Sequence, residues 1–379
     1  MAKPQIPLHE LYPSSIALIK PSALGDIIHA LPVLTALRQR FPRTHITWIV
    51  NRTYEPLLAG HPDLDHILAF DRHATRFGFW QAAGRAVSFL RLLGKRKFDL
   101  VIDLQGLLRT GIMSLACRSA RRVGFSCARE GSRWFYTDVV PADFTGTHAV
   151  DRNWGMAVAF GAGNGDKQFR LHIDEQARQW VKEELHDCPR PWLAVGVGAR
   201  WLTKRWPPEH FADLLRRAQK CFGGTAIFVG RGDEAPFSRA AAALLEGRTR
   251  DLSGLTTLPQ LVALLSEADL MLANDTGPLH LAAALGRPVL APYTCTRAHR
   301  HGPFGQLAHA VETTIWCKGS YRKKCPRLEC MSELQPDRLW PILFEMLHTW
   351  QSSNKSGLSS PAVPPPAASF WNERATNSK

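Results

Sequence analysis

Short apolar segments alternate with amphipathic segments of helix length along most of the chain. In the first half, the apolar segments predict strands at residues 15–20, 46–50, 66–70, 99–103 and 122–125. Between them, apolar side chains recur every three or four residues, as at residues 27–40 and 108–117, and this period predicts helices. Regular alternation of strand and helix is typical of an α/β fold with a parallel sheet.

The same alternation begins again near residue 190. It predicts strands at residues 192–197, 225–229 and 269–273, another after Pro288, and helices at residues 209–221 and 258–268. The length of 379 residues also favours two cores over one. We therefore predict domains at residues 1–180 and 181–335, a closing helix at 336–350, and a disordered tail, rich in Ser, Pro and Ala, at 351–379.

The segment from residue 268 to residue 290 predicts a strand, a turn, a helix and a second strand. Asn274, Thr276 and Gly277 suit a tight turn and a helix N-cap, and Pro278 suits the first helical position. A helix that starts at the carboxyl end of a strand offers backbone N–H groups to a phosphate. Taken alone, the spacing favours an ordinary turn of the kind found many times in any α/β domain.

Composition narrows the classes of partner. The net charge of +14 indicates an anionic partner, which charge alone leaves open between nucleic acid, anionic lipid and a phosphorylated small molecule. No apolar run approaches the ~20 residues of a membrane-spanning helix, and the first residues lack the layout of a signal peptide. We expect a cytosolic protein whose eight cysteines are reduced.

Three loops, each predicted at the carboxyl end of a strand, carry a resemblance to a known family. They lie at residues 20–32 (KPSALGDIIHALP), 204–211 (KRWPPEHF) and 274–280 (NDTGPLH). With them, the sequence from about residue 15 to residue 350 resembles the bacterial heptosyltransferases of glycosyltransferase family 9, which build the inner core of lipopolysaccharide. The resemblance implies the GT-B architecture, in which two Rossmann-like domains face each other across a cleft and a closing helix crosses back to the first. It also implies an inverting transfer without a bound metal or other cofactor.

The resemblance assigns catalytic roles to Asp26 and Lys204. Asp26 matches the aspartate that takes the proton from the acceptor hydroxyl, and Lys204 matches a lysine that neutralises the departing diphosphate. Considered without the family, Asp26 beside Gly25 is typical of a helix N-cap, and Lys204 beside Arg205 is typical of a basic surface.

The remaining site residues divide between the two predicted domains. By resemblance, the donor is bound by Arg200, Thr203, Glu234, Asp275, Thr276, Gly277 and His280. The acceptor is expected to meet Gly25, His29, Gln105, Arg109, Arg118, Arg121 and Arg122. For His280, a core histidine bonded to a backbone carbonyl remains an equal alternative. For Glu234, the alternative is support of a helix dipole, and for the arginines it is a solvated helix face.

Two acidic or sulfur-containing patterns raise the question of a metal. Asp63-Leu-Asp65 precedes a predicted strand instead of following one, so we interpret this triplet as chance. Cys317, Cys325 and Cys330 form no CxxC pair, and a reduced structural loop is favoured over a zinc site. We therefore predict no metal site.

The predicted function is transfer of a heptose-like sugar from an ADP-linked donor to an acidic or phosphorylated lipopolysaccharide-core acceptor. We expect a cytoplasmic enzyme in peripheral contact with the inner membrane and no nucleic acid partner. Residues 294–301 depart from the family pattern, which leaves the transferred sugar open. The alternatives are a nucleotide-sugar epimerase of the same fold and a non-catalytic protein that binds anionic lipid or nucleic acid.

Overall fold

The computed structural model describes residues 6–71, 79–143 and 146–355, with the side chain of Phe79 excepted. Its first half contains a parallel sheet with the spatial order β3-β2-β1-β4-β5-β6. The strands are β1 Ser15–Ile19, β2 His45–Asn51, β3 His66–Phe70, β4 Leu100–Asp103, β5 Arg121–Phe125 and β6 Asp138–Val140.

The second half contains another parallel sheet, with the order β12-β11-β10-β7-β8-β9. Its strands are β7 Trp192–Gly196, β8 Thr225–Phe228, β9 Thr249–Asp251, β10 Leu270–Ala273, β11 Val289–Tyr293 and β12 Ala310–Glu312. Counted from its own first strand, each sheet has the order 3-2-1-4-5-6 of a Rossmann fold. The predicted α/β class with two Rossmann-like halves is confirmed.

Helices connect the strands. They are α1 Leu24–Ile28, α2 Leu31–Arg40, α3 Glu55–Leu58, α4 Phe79–Lys95, α5 Leu108–Ala116, α6 Ala149–Ala159, α7 Glu175–Glu184, α8 Pro208–Phe222, α9 Ala235–Ala242, α10 Leu258–Glu267, α11 Gly277–Ala284, α12 Ala298–His301, α13 Glu329–Glu333 and α14 Trp340–Lys355. In the described part of the chain, no helix is both long enough and apolar enough to cross a bilayer.

Alternate residues of the central strands face different cores. In β1, Ile16 and Leu18 join a core that both halves share, whereas Ala17 and Ile19 join a core beneath α4 and α5. In β7, Ala194 faces the shared core, while Leu193 and Val195 face an outer core with α8 and α14. This period of two follows from the pleat of a strand. The shared core contains buried side chains from both halves and packs them against each other.

The helix expected at residues 27–40 is two helices. The first begins earlier, at Leu24, and a short break separates it from α2. Pro32 lies in the first turn of α2 and has no N–H with which to continue the hydrogen-bond ladder from α1. As a consequence, Asp26 lies inside α1 and not in the loop before it.

The closing helix is longer than expected and starts later. It covers Trp340–Lys355, so residues 351–355, which were expected to be disordered, are helical. Leu343 and Leu347, its buried side chains, pack in the outer core of the second half, and the expected crossing to the first half stays a prediction. The rest of the predicted tail, residues 356–379, lies outside the described residues.

Helix α7 bears on the predicted boundary at residue 180. It begins at Glu175 and packs against α10 of the second half. Ala177 and Val181 lie in the shared core. By its packing, α7 belongs with the second half, which favours a boundary before residue 175.

Candidate active site

In each half, the strand order reverses between the first strand and the fourth. Ligands of open α/β sheets bind at this point, outside the carboxyl ends of the strands. In the first half, α1, which follows β1, carries Asp26, and the loop after β4 carries Gln105. In the second half, the loops after β7 and β10 carry Lys204 and Asp275. The sheet topology therefore explains why residues far apart in the sequence belong to one site.

The two halves meet at this point through α1 and α11, which are in close contact. A Cβ atom at Gly25 would lie 2.8 Å from Cδ2 of His280, and a Cβ atom at Gly277 would lie 2.7 Å from a methyl carbon of Leu24. Each glycine thus receives a side chain from the opposite half. Because real Cβ atoms do not approach so closely, both positions require glycine for this contact.

Asp26 is exposed on α1, at the edge of the contact between the halves. Its Oδ2 atom accepts a hydrogen bond from the backbone N–H of Ala23, at 2.9 Å. The helix-capping role considered from the sequence is therefore present, although at the third position of the helix. In the described residues no hydrogen bond reaches the other carboxylate oxygen, Oδ1, which leaves it available to a substrate.

Two basic side chains, Lys20 and Arg152, interact electrostatically with Asp26. Lys20 is buried and donates from Nζ to the backbone oxygen of Leu104, at 2.8 Å. Burial lowers the pKa of Lys20, and the charge of Asp26 offsets part of this effect. Burial also lowers the pKa of Arg152, which interacts electrostatically with Asp26 in the same way. Arg152 was not predicted from the sequence, because it lies on α6, far along the chain from any of the three loops.

The loop after β4 is held by Asp103. This buried carboxylate accepts hydrogen bonds from the N–H groups of Gln105 and Gly106, at 2.8 and 3.1 Å, and from the hydroxyl of Tyr136, at 2.7 Å. Burial raises the pKa of Asp103 despite these bonds. Gln105 is thereby fixed beside the site, and Arg109 follows on the first turn of α5.

Asp275 is the centre of the second half of the site. Its Oδ2 atom lies 2.6 Å from Nζ of Lys204 and accepts from the hydroxyl of Thr296, at 2.7 Å, while Nε2 of His280 lies 3.3 Å from Oδ1. Burial would raise the pKa of Asp275, but Lys204 and His280 outweigh it and hold the pKa well below its usual range. Through Lys204 and Thr296, Asp275 joins the loop after β10 to the loops after β7 and β11. Thr296 was not predicted, because it lies in the segment where the sequence departs from the family.

Asn274 fixes the turn that leads into α11. Its buried side chain accepts from the N–H of Trp206, at 3.1 Å, and donates to the backbone oxygen of Val197, at 2.7 Å. Thr276 follows as the N-cap residue, with its hydroxyl donating to the backbone oxygen of Asn274, at 3.2 Å, and not to the helix. The first N–H groups of α11 therefore have no side-chain cap from Thr276.

The other predicted donor residues differ in exposure and in their hydrogen-bond partners. Thr203 is buried, and its hydroxyl donates to the backbone oxygen of Arg322, which gives it a structural role. Arg200 is exposed in the loop after β7. Glu234 packs against Gly198 of the same loop and accepts from the N–H of Arg231, at 3.0 Å. His280 is buried, but it meets a carboxylate and not the backbone carbonyl that was the alternative.

Four histidines line the junction of the halves. The rings of His29 and His280 are 4.5 Å apart, and those of His29 and His148 are 5.6 Å apart. Burial lowers the pKa of His29 well below its ordinary value and lowers the pKa values of His148 and His301 to about 4. His29 thus packs inside the junction, and its Nε2 atom has no hydrogen-bond partner among the described residues.

Three predicted acceptor residues lie away from the site. Arg121 and Arg122 begin β5, and Arg118 precedes them on the surface, whereas Asp26 follows the carboxyl end of β1. Since the strands are parallel, these arginines stand at the opposite edge of the sheet. Arg121 forms a bidentate pair with Asp138, at 2.8 and 2.9 Å, and Arg122 donates to the backbone oxygens of Ser119 and Phe135. Arg121 and Arg122 thus have partners within the first half, and the position of all three arginines argues against the expected contact with acceptor.

The residues considered for metals are separated or engaged. No group of three His, Cys, Asp or Glu side chains in the described ranges is placed to hold an ion. Asp63 accepts from Thr35 and Arg170, and Asp65 accepts from the N–H of Ile46. The cysteines in the described residues, including Cys317, Cys325 and Cys330, are free thiols.

Comparison with known proteins identifies the family. A sequence profile of glycosyltransferase family 9 (heptosyltransferase) matches residues 86–331, which include Lys204 and Asp275. The chain belongs to glycosyltransferase family 9. This glycosyltransferase is 27% identical over 310 residues to lipopolysaccharide core heptosyltransferase OpsX of Haemophilus influenzae, covering 81% of this chain and 86% of that protein. It is 28% identical over 347 residues to lipopolysaccharide heptosyltransferase 1 of Pseudomonas aeruginosa, covering 88% and 94%.

The fold of the glycosyltransferase also resembles a solved structure. The structure of ADP-heptose lipopolysaccharide heptosyltransferase II from Escherichia coli matches with a TM-score of 0.72 at 21% identity, covering 89% of this chain and 99% of that one. The expected GT-B architecture is confirmed. Because the chain belongs to a family of enzymes, the alternative of a non-catalytic binding protein is excluded.

Proposed function

We propose that this glycosyltransferase moves a heptose from an ADP-linked donor to an acceptor in the core of lipopolysaccharide, with inversion at the anomeric carbon. The observation that carries the proposal is the packing of α1, which carries Asp26, against α11, whose His280 lies beside Asp275 of the Lys204–Asp275 pair. The names of the relatives from Haemophilus influenzae and Pseudomonas aeruginosa support lipopolysaccharide as the product. The name of the similar Escherichia coli structure supports the donor.

In this proposal the second half binds the donor. The uncapped first turn of α11 offers N–H groups to the diphosphate, and the helix dipole favours negative charge there. Lys204 stands beside the same turn. As the bond between the anomeric carbon and the diphosphate breaks, charge grows on the phosphate oxygens, and the ammonium group stabilises that charge.

The first half then binds the acceptor and removes its proton. The acceptor hydroxyl oxygen attacks the anomeric carbon, the bond to the diphosphate breaks, and the bonding electrons leave with ADP. Oδ1 of Asp26, which accepts no other hydrogen bond in the described residues, takes the hydroxyl proton. Lys20 and Arg152 interact electrostatically with Asp26, and their charges, with that of Arg109 after the neighbouring strand β4, suit an acidic or phosphorylated acceptor. Gln105, in the loop after β4, is proposed to donate a hydrogen bond to the acceptor.

In this proposal, Lys204 and the first N–H groups of α11 stabilise the departing diphosphate in place of a metal ion. The nature of the acceptor also bears on where the enzyme acts. A lipopolysaccharide precursor is a glycolipid, so the enzyme acts in peripheral contact with the cytoplasmic face of the inner membrane. Residues 1–180 are proposed as the acceptor domain and residues 181–335 as the donor domain, with α7 as the exception noted above.

The test is turnover with defined substrates. Purified enzyme is incubated with ADP-heptose, with and without a heptose-free core glycolipid. ADP release, the mass of the product and, by NMR, its anomeric configuration are measured. UDP-linked and GDP-linked sugars are the controls, and one reaction contains EDTA. Product larger by one heptose, of inverted configuration and unaffected by EDTA, is expected. Loss of activity with EDTA and recovery with Mg²⁺ would contradict the metal-independent part alone, whereas turnover of the donor without an acceptor would favour an epimerase.

A further inference from the structure

Helices α4 and α5 lie side by side over the core that contains Ala17 and Ile19, and their outer faces are open to solvent. On α5, Leu108, Ile112 and Leu115 recur along one face, and all three are exposed. On α4, Trp80, Val87 and Leu92 are exposed as well. The turn Ser132–Phe135 packs against the other side of α5 and presents Trp134. We call these seven side chains the apolar face.

The charges around the apolar face have one sign. Arg85, Arg91 and Lys95 are exposed on α4, and neither α4 nor α5 contains an Asp or Glu residue. Arg133 is exposed beside Trp134. Acidic groups lie at the margins: Asp71 pairs with Arg85 at 3.7 Å, and Glu130 accepts from the N–H of Leu108 at 3.2 Å. A second copy of the same face would be repelled by these basic groups.

Two tryptophans stand at the borders of the apolar face. Trp80, at the start of α4, is 84% exposed, and Trp134 is 91% exposed. Full exposure of an indole is costly in water, but tryptophan is favoured where hydrocarbon meets lipid headgroups. An apolar surface with a basic border and tryptophan at its edges combines the features of a peripheral membrane contact.

The position of the apolar face agrees with this use. Both helices follow parallel strands, so both begin at the carboxyl edge of the first sheet, where Asp26 and Gln105 lie. Leu108 comes directly after the loop that Asp103 holds beside the site. A surface that rests on a bilayer there would bring the first half of the cleft next to molecules anchored in that bilayer.

We propose that the apolar face of α4, α5 and the turn Ser132–Phe135 binds the surface of a bilayer that contains anionic phospholipid. The apolar side chains enter the headgroup region, and the basic side chains meet lipid phosphates. The surface gives the proposed function its route to a glycolipid acceptor. Binding to pure phospholipid is nevertheless a separate property, which does not require the proposed donor or acceptor to be correct.

The experiment measures co-sedimentation of the full chain with vesicles of phosphatidylcholine alone or of phosphatidylcholine and phosphatidylglycerol in equal parts. Stronger binding to the anionic vesicles, weakened by added NaCl, is expected. The double variant Trp80→Ala/Trp134→Ala should lower the partition coefficient on the order of tenfold. Arg91→Glu/Lys95→Glu should lower it at least as much, since each basic residue near such a surface contributes roughly fivefold.

Matched controls come from the second half. Trp316 is also 84% exposed, and Trp316→Ala should leave binding unchanged. Arg239 and Arg248 are exposed there, and Arg239→Glu/Arg248→Glu makes the same change of charge as the α4 variant. Circular dichroism verifies that each variant is folded. Absence of vesicle binding, or equal losses in test and control variants, would overturn the proposal. So would a dimer in sedimentation analysis that the Trp80→Ala/Trp134→Ala variant abolishes, because the face would then bind a second copy.

Discussion

At the scale of single residues, the site consists of one carboxylate that is open and one that is fully engaged. Asp26 keeps Oδ1 available, whereas Asp275 is buried among Lys204, Thr296 and His280. A base must exchange a proton with substrate, so accessibility suits Asp26 to that role. A carboxylate whose pKa is held well below its usual range stays ionised, which suits Asp275 to fixing the position of Lys204.

Asp26→Asn tests the proposed base. The amide oxygen of Asn can still accept from Ala23, so α1 should keep its first turn, but the proton acceptor is gone. Turnover should fall by roughly 10²–10⁴ while the affinity for the donor changes little. Steady-state kinetics together with the melting temperature provide the measurement. A folded Asp26→Asn protein with nearly normal turnover would leave Asp26 only its capping bond.

Lys204→Gln tests the stabilisation of the leaving group. Gln can still donate to Asp275 but carries no charge. Since the charge on the diphosphate grows towards the transition state, kcat should fall by roughly 10²–10³ and the donor KM should rise much less. Thr296→Val is the matched control, because it removes another hydrogen bond to Asp275 without removing a charge. If Thr296→Val lowers kcat as much as Lys204→Gln, the lysine acts only by holding Asp275.

At the scale of elements, the contact of α1 with α11 sets how the two halves of the site face each other. Gly277→Ala places a methyl group about where Leu24 now packs. Because crowding a packed contact costs roughly 1–3 kcal/mol, stability should fall by that amount and kcat/KM should fall with it. Chemical denaturation and kinetics measure the two effects.

Gly155→Ala is the control for that prediction. Gly155 lies within α6, and nothing stands within 4 Å of the Cβ atom it would acquire. This substitution should stabilise the protein by roughly 0.5–1 kcal/mol, since alanine is the better helix former. Equal behaviour of Gly155→Ala and Gly277→Ala would show that the contact with Leu24 has no special weight.

Elements marked by local sequence signals were predicted well, and those that depend on long-range packing were not. The unit from β10 to β11 was predicted closely, because strand, N-cap, proline and C-terminal glycine are all local signals. The break before α2 was missed, because the apolar period continues across Pro32. The three-residue strands β6, β9 and β12 are too short to show a period. Arg121 was misplaced because a basic residue does not reveal which edge of a sheet it occupies, and Thr296 meets Asp275 only after the chain has folded.

At the scale of the whole molecule, the junction of the halves contains histidines that the fold keeps neutral. Burial lowers the pKa values of His148 and His301 to about 4, from 6.5 in the unfolded chain. Between these values the unfolded chain binds more protons than the folded one, so stability falls as the pH drops from 6.5 towards 4. The midpoint of urea denaturation, measured across this range, should decrease accordingly.

His301→Gln should flatten that dependence, because it removes one of the groups that titrate. His299 lies on the same short helix but is exposed, and His299→Gln should leave the slope as it is. If the midpoint is constant from pH 6.5 to pH 4, or if His299→Gln flattens the curve as much as His301→Gln, the histidines of the junction do not control it.

The reciprocal packing of Gly25 with His280 and of Gly277 with Leu24 should constrain how the sequences of related proteins vary. Residues at these positions cannot enlarge independently, because each glycine is small to admit its partner's side chain. A relative with a larger residue at position 25 must carry a smaller one at position 280, and positions 277 and 24 are linked in the same manner. Aligned relatives should thus show correlated substitutions between the two halves at these pairs. In this protein, stability lost when one glycine is enlarged should be regained when the side chain that packs against it is made smaller.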